Sequence, residues 1–111
     1  MTTDAGIPEG LTVETVYIVE ISYTPEAPTR RPAVRPEHLA RIGRLLTDGR
    51  VVEAGGYLDF SSAVLWVRAS REAEAVALVR DDVYVREGVW LDDARARRFG
   101  RVVIGAPPTG G

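Results

Sequence analysis

The chain has 111 residues, a net charge of −2, no cysteine and one histidine, with 45% apolar and 27% charged residues. That is the profile of a single globular domain, so global disorder is excluded, and there is no basic surplus of the kind that marks a nucleic-acid or anionic-membrane binder. Without Cys, and with His38 as the sole histidine, one chain cannot build a disulfide scaffold, a thiol nucleophile or the usual zinc and iron sites, so no metal and no cofactor is expected.

In chain order, residues 1–12 are polar and contain Gly and Pro, and read as a loose N-terminal arm. They show neither the basic start nor the apolar core of a secretory signal, and no apolar run approaches the ~20 residues of a membrane span. A cytoplasmic location without membrane contact is the expectation. The first strand covers about Thr15–Tyr23, with Tyr17, Val19, Ile21 and Tyr23 on one face and Val16 and Ile18 on the other. Thr24–Pro36 holds four prolines and three arginines and reads as a loop.

Helix one starts near Pro36, a residue suited to a first turn. Leu39, Ile42 and Leu46 form its apolar stripe with Leu45 beside them, and Asp48-Gly49 ends it. Strand two is Arg50–Ala54, stopped by Gly55-Gly56. Strand three is Ala63–Ala69, with Leu65 and Val67 opposite Val64 and Trp66. Helix two follows from Ser70, read as its N-cap with Glu72 and Glu74 behind it. Ala75, Leu78, Val79 and Asp82 share one of its faces. Strand four lies within Ala94–Ile104, where alternating arginines mark an edge. Residues 105–111 read as a frayed tail.

The order β-α-β-β-α-β predicts an α+β, ferredoxin-like fold over residues 13–104 with a four-stranded antiparallel sheet. Two helices cover one sheet face only, yet strands one and three are apolar on both. A homodimer packed sheet against sheet follows, because soluble monomers avoid large apolar patches.

Chemistry concentrates at His38 and Asp82. His38 lies three residues after Arg35 and four before Ile42, on one helix face. Asp82 ends the apolar face of helix two, where a carboxylate needs a partner. An Asp that accepts from one imidazole nitrogen leaves the other free as a base. The competing reading is a satisfied structural histidine and a helix-end aspartate. Asp59, Ser61 and Ser62 occupy a turn, where such residues are common. Gly55-Gly56 lacks the spacing of a phosphate loop. Tyr17 and Trp90 are candidate pocket aromatics.

Three stretches, Ala33-Val-Arg-Pro-Glu-His-Leu-Ala-Arg41, Gly49-Arg-Val-Val-Glu-Ala-Gly55 and Asp82-Val-Tyr-Val-Arg-Glu-Gly-Val89, followed by a strand ending Arg101-Val-Val103, resemble the YciI-like family (YCII-related domain) of the dimeric α/β-barrel group over about residues 16–103. The resemblance implies a ferredoxin-like fold that dimerises through its sheets to form an α/β barrel. It also implies a His–Asp dyad, here His38 and Asp82, with Arg35 nearby and Ser62 matching a serine at the start of the third strand. Two departures are visible. Val83 stands where the family has Pro, and Gly55-Gly56 where it has Gly-Pro. Relatives are linked to dehydrochlorination of chlorinated hydroxyquinols, and the wider group includes muconolactone isomerases and cofactor-free oxygenases. The expected function is a cofactor-independent lyase or isomerase acting on a small aromatic or lactone-like molecule. His38 and Asp82 are its catalytic residues, and Arg35 and Ser62 bind substrate. The alternative is a non-catalytic small-molecule binding or accessory protein that uses the same pocket.

Overall fold

The computed structural model of the chain describes residues 6–105. Its elements are β1 (Leu11–Ser22), α1 (Ala27–Thr47), β2 (Val51–Gly56), β3 (Ser62–Val67), α2 (Glu72–Arg80), the single-turn α3 (Val83–Arg86) and β4 (Arg95–Ile104). The strands form one antiparallel sheet in the order β2-β3-β1-β4. This is the ferredoxin-like arrangement, with β2 and β4 as edges. No helix among the described residues is long and apolar enough to cross a membrane.

Strand periodicity sets the core. Tyr17, Val19 and Ile21 of β1 pair with Val67, Leu65 and Ala63 of β3 and face the helices, and all are buried. The residues between them, Val16 and Ile18 of β1 with Val64 and Trp66 of β3, lie on the opposite face, which no helix covers. There Trp66 meets Phe99 of β4 with ring centroids 5.3 Å apart, and Phe99 keeps 43% of its surface exposed.

Several boundaries differ from the sequence reading. Leu11 and Thr12 are not part of a loose arm, because they pair with Ile104 and Val103 and prolong β1 and β4 as a two-stranded ribbon. Residues 1–5 of the expected arm and 106–111 of the expected tail lie outside the described residues. The Gly55-Gly56 pair belongs to β2 and does not end it earlier. The largest difference is α1, which begins at Ala27 and includes the segment read as a loop. Interior prolines normally cost about 3 kcal/mol through a lost hydrogen bond and a clash. Here Pro28 sits in the first turn, and Pro32 and Pro36 follow at four-residue intervals. All three lie on the exposed side, so the carbonyls they leave free face water and not the core.

The longer helix also turns the stripe. Its inward face runs through His38, Ile42 and Leu45, all buried, at the four- and three-residue steps of a helix face. Leu39 and Leu46 flank that face at 49% and 43% exposure. Helix α2 buries Ala75 and Val79 and begins after Arg71, with no side-chain cap. Ser70 is not that cap. Its backbone N–H donates to Glu74 at 2.8 Å instead.

Candidate functional site

Asp82 is fully buried and belongs to neither long helix. It is the N-cap of α3, in extended conformation, and its Oδ1 accepts from the Tyr84 backbone N–H at 2.9 Å. An N-cap carboxylate satisfies an otherwise orphaned helix N–H, and this fixes the side chain. The same Oδ1 accepts from His38 Nδ1 at 2.7 Å. Oδ2 accepts from Arg41 Nη1 at 3.1 Å. Arg41 Nη2 in turn donates to the Leu78 carbonyl at 2.7 Å, one of the last carbonyls of α2, which lack partners within the helix. Burial alone would raise the Asp82 pKa. The hydrogen bonds from His38 and Tyr84, with the charges of His38 and Arg41, prevail and hold it below the ordinary aspartate range.

An ionised carboxylate only accepts, so Nδ1 of His38 must carry the proton facing it. His38 makes no second side-chain hydrogen bond within the described residues. Its ring stacks on Tyr84, centroids 3.7 Å apart and planes 8° from parallel, and meets Trp90 edge-on at 5.1 Å. Trp90 is placed by a short antiparallel return after α3, in which Leu91 N–H donates to the Ser22 carbonyl at 2.8 Å and Tyr23 bridges Trp90. The chain enters this return at Gly88, whose φ of +72° lies in the left-handed region and favours glycine.

His38, Tyr84 and Trp90 border a cavity of about 240 Å³ between the N-terminal half of α1 and the sheet. That is just below the size of ordinary small-ligand sites (about 300–1,000 Å³), which suits one ring with short substituents. Arg31 and Arg35 line it on the α1 side, and Ala54–Gly56 with Leu65 on the sheet side. At Gly56 a Cβ would overlap the Tyr23 hydroxyl, so only glycine lets that phenol reach the cavity wall.

The structure thus brings together His38, Asp82 and Arg35. It places His38 near the middle of α1 and Asp82 beyond the end of α2, not at a helix start and a helix end as expected from the sequence. Ser62 is not brought to the cavity. Its Oγ donates to Glu20 at 2.7 Å on the uncovered sheet face, because Ser62 is in phase with Val64 and Trp66. Ser61 and Asp59 close an exposed turn on each other, with the Ser61 N–H donating to Asp59 at 2.9 Å. Tyr17 is core, whereas Trp90 lines the cavity. Arg41, Tyr84 and Arg31 were not singled out from the sequence. Arg41 was readable, since it lies three residues after His38 on the same face, whereas Arg31 was hidden by the loop reading of residues 24–36. Among the described residues, no three side chains of His, Asp or Glu converge as a metal site.

Comparison with family models and with curated proteins finds no match to this chain.

Proposed function

We propose that the chain is a cofactor-independent enzyme of the lyase or isomerase type that moves a proton on a small aromatic or lactone-like molecule, as the YciI-like resemblance implies. The observation that carries this reading is the buried His38–Asp82 pair, with His38 at the wall of a cavity that suits one small ring. Neutral His38 takes a proton through Nε2 from a substrate carbon next to a carbonyl. The electron pair left behind moves onto an adjacent carbonyl oxygen, and Arg35 stabilises the oxyanion. Asp82 stabilises the imidazolium formed. The proton then returns to another atom, giving an isomer, or the oxyanion collapses with loss of a leaving group, giving elimination.

The test is solvent-deuterium exchange, followed by proton NMR in D₂O, on muconolactone and a chlorinated hydroxyquinol. At least one should lose a C–H signal with the wild type, and His38→Ala should slow that exchange by about 10²-fold or more. Ser62→Ala should leave it unchanged. Saturable binding without exchange at any pH would favour the non-catalytic binding protein instead.

The same proposal pairs two copies through the uncovered sheet face. Ile18, Val64, Trp66 and Phe99 form an apolar centre there, and the Glu14–Arg101 and Glu20–Arg95 pairs border it with both signs of charge. Both signs around an apolar centre suit a two-fold, self-complementary contact. Trp66→Glu should yield monomer or aggregate. A wild-type sedimentation mass of one 12.1 kDa chain at micromolar concentration would contradict the pairing.

A further inference from the structure

We propose that Arg31 and Arg35 form a two-guanidinium clamp for the carboxylate of a small aromatic acid, with the acid's ring lying between Trp90 and the sheet. The inference rests on the cavity being the ligand site and adds the class of ligand.

Arg31, Arg35 and His38 follow one another at four- and three-residue steps, so they line one side of α1. Like charges at four-residue spacing repel each other slightly, and an opposite charge nearby would relieve this. None is supplied. The cavity lining contains two arginines and no acid, and neither arginine has an ion-pair partner among the described residues.

A second observation is independent of charge. Among the described residues, three buried side-chain polar atoms make no hydrogen bond of good geometry, Arg31 Nε, Tyr84 Oη and Trp90 Nε1, although the Arg31 guanidinium lies beside the Tyr84 hydroxyl. Tyr84 and Trp90 are only 1% and 3% exposed, and all three residues border this one cavity. Leaving buried polar groups unpaired is costly, so such groups call for an explanation. Each of the three can donate. A cavity walled by two arginines and no acid selects an anion.

The third observation is that Arg31 is held in place before any ligand arrives. Its guanidinium carbon lies 5.2 Å from the centre of the Phe60 ring, within the range of a cation–π contact. Phe60 is the one non-glycine residue with positive φ, at 60°, among the described residues. A bulky residue is strained there, and this turn keeps its ring against both Arg31 and Tyr23, the latter at 5.3 Å between centroids. Planar guanidinium forks match a planar carboxylate, and the aromatic and aliphatic walls at Trp90, Ile42 and Leu65 suit a ring. Together they favour an aromatic carboxylate over inorganic phosphate.

Calorimetric titration with benzoate, benzamide and inorganic phosphate tests the clamp, with the His38 ring signal in NMR as a second readout. Benzoate should bind saturably, more tightly than the isosteric neutral benzamide, and should perturb the His38 signal. Arg31→Gln and Arg35→Gln should each weaken benzoate by about ten- to a hundred-fold, the effect of one lost charge-assisted hydrogen bond. Benzamide affinity should not change, and circular dichroism should report an intact fold. Benzamide binding as tightly as benzoate, benzoate affinity indifferent to both substitutions, phosphate binding as tightly as benzoate, or no benzoate binding at millimolar concentration would each overturn the clamp. His38→Gln separates this from the proposed reaction. It should abolish proton exchange and keep benzoate binding, so a failed clamp with intact exchange, or the reverse, identifies which reading is wrong.

Discussion

Arg41 and Arg35 lie six residues apart on α1, fewer than two turns, yet they meet opposite surroundings. Arg41 reaches a buried carboxylate and a helix-end carbonyl, and the contacts tie α1 to α2 and α3. Arg35, with Arg31 one turn before it, faces a cavity with no acid in its lining. His38 stands between them, and its Nδ1 belongs to the paired half. One half of the helix is therefore satisfied within the fold, while the other presents unmatched donors. The contrast teaches that the same residue type serves structure where a partner is built in and binding where none is.

The largest effect should come from breaking the paired half. Asp82→Ala removes the α3 N-cap and leaves His38 and Arg41 facing each other without an acceptor, and should destabilise the protein by about 3–5 kcal/mol in denaturant unfolding. Asp82→Asn keeps the shape and should cost less. Its deficit should depend on pH with a definite sign. The Asp82 pKa is depressed in the fold, so its contribution is complete above the unfolded-state value of ~3.9 and is lost as pH falls through the lower folded value. The gap between wild type and Asp82→Asn should close in that acid range.

Arg41→Met should cost about 2 kcal/mol, the scale of a hydrogen bond to a charged group, which stability measurements at neutral pH would show. Gly88→Ala should cost about 1 kcal/mol, because Ala is strained at positive φ, and thermal unfolding would detect it. The smallest effect should be in the unpaired half. Arg31→Gln and Arg35→Gln should change stability by no more than about 0.5 kcal/mol in either direction, since neither forms an ion pair that the fold depends on. A large loss in either would place these arginines with Arg41 and erase the contrast.

Much of this was legible in the sequence for identifiable reasons. Period-two alternation in β1 and β3 gave the sheet and its two apolar faces. The expense of burying Asp82 alone calls for a partner, and the lone histidine on the inward face of the other helix supplies it; the structure places the two within 2.7 Å. The misreadings have equally local causes. Prolines at 28, 32 and 36 look like helix breakers until their four-residue spacing is seen to put all three on the exposed side. That same error concealed Arg31 and shortened α1, and so misplaced His38 along it. From the sequence Asp82 reads as the end of α2, because a single-turn helix such as α3 leaves no periodic signal. Ser62 enters the site only through the resemblance, although its alternation with Val64 and Trp66 puts it on the other face.

The central claim is that Asp82 fixes the His38 tautomer and leaves Nε2 free at the cavity. Nitrogen-15 NMR of the single histidine, at a pH where the ring is neutral, tests it directly. The expected result is one tautomer, protonated on Nδ1 with Nε2 bare, and a shift toward a mixture in Asp82→Asn. A neutral ring protonated on Nε2, or a tautomer ratio indifferent to Asp82, would contradict it.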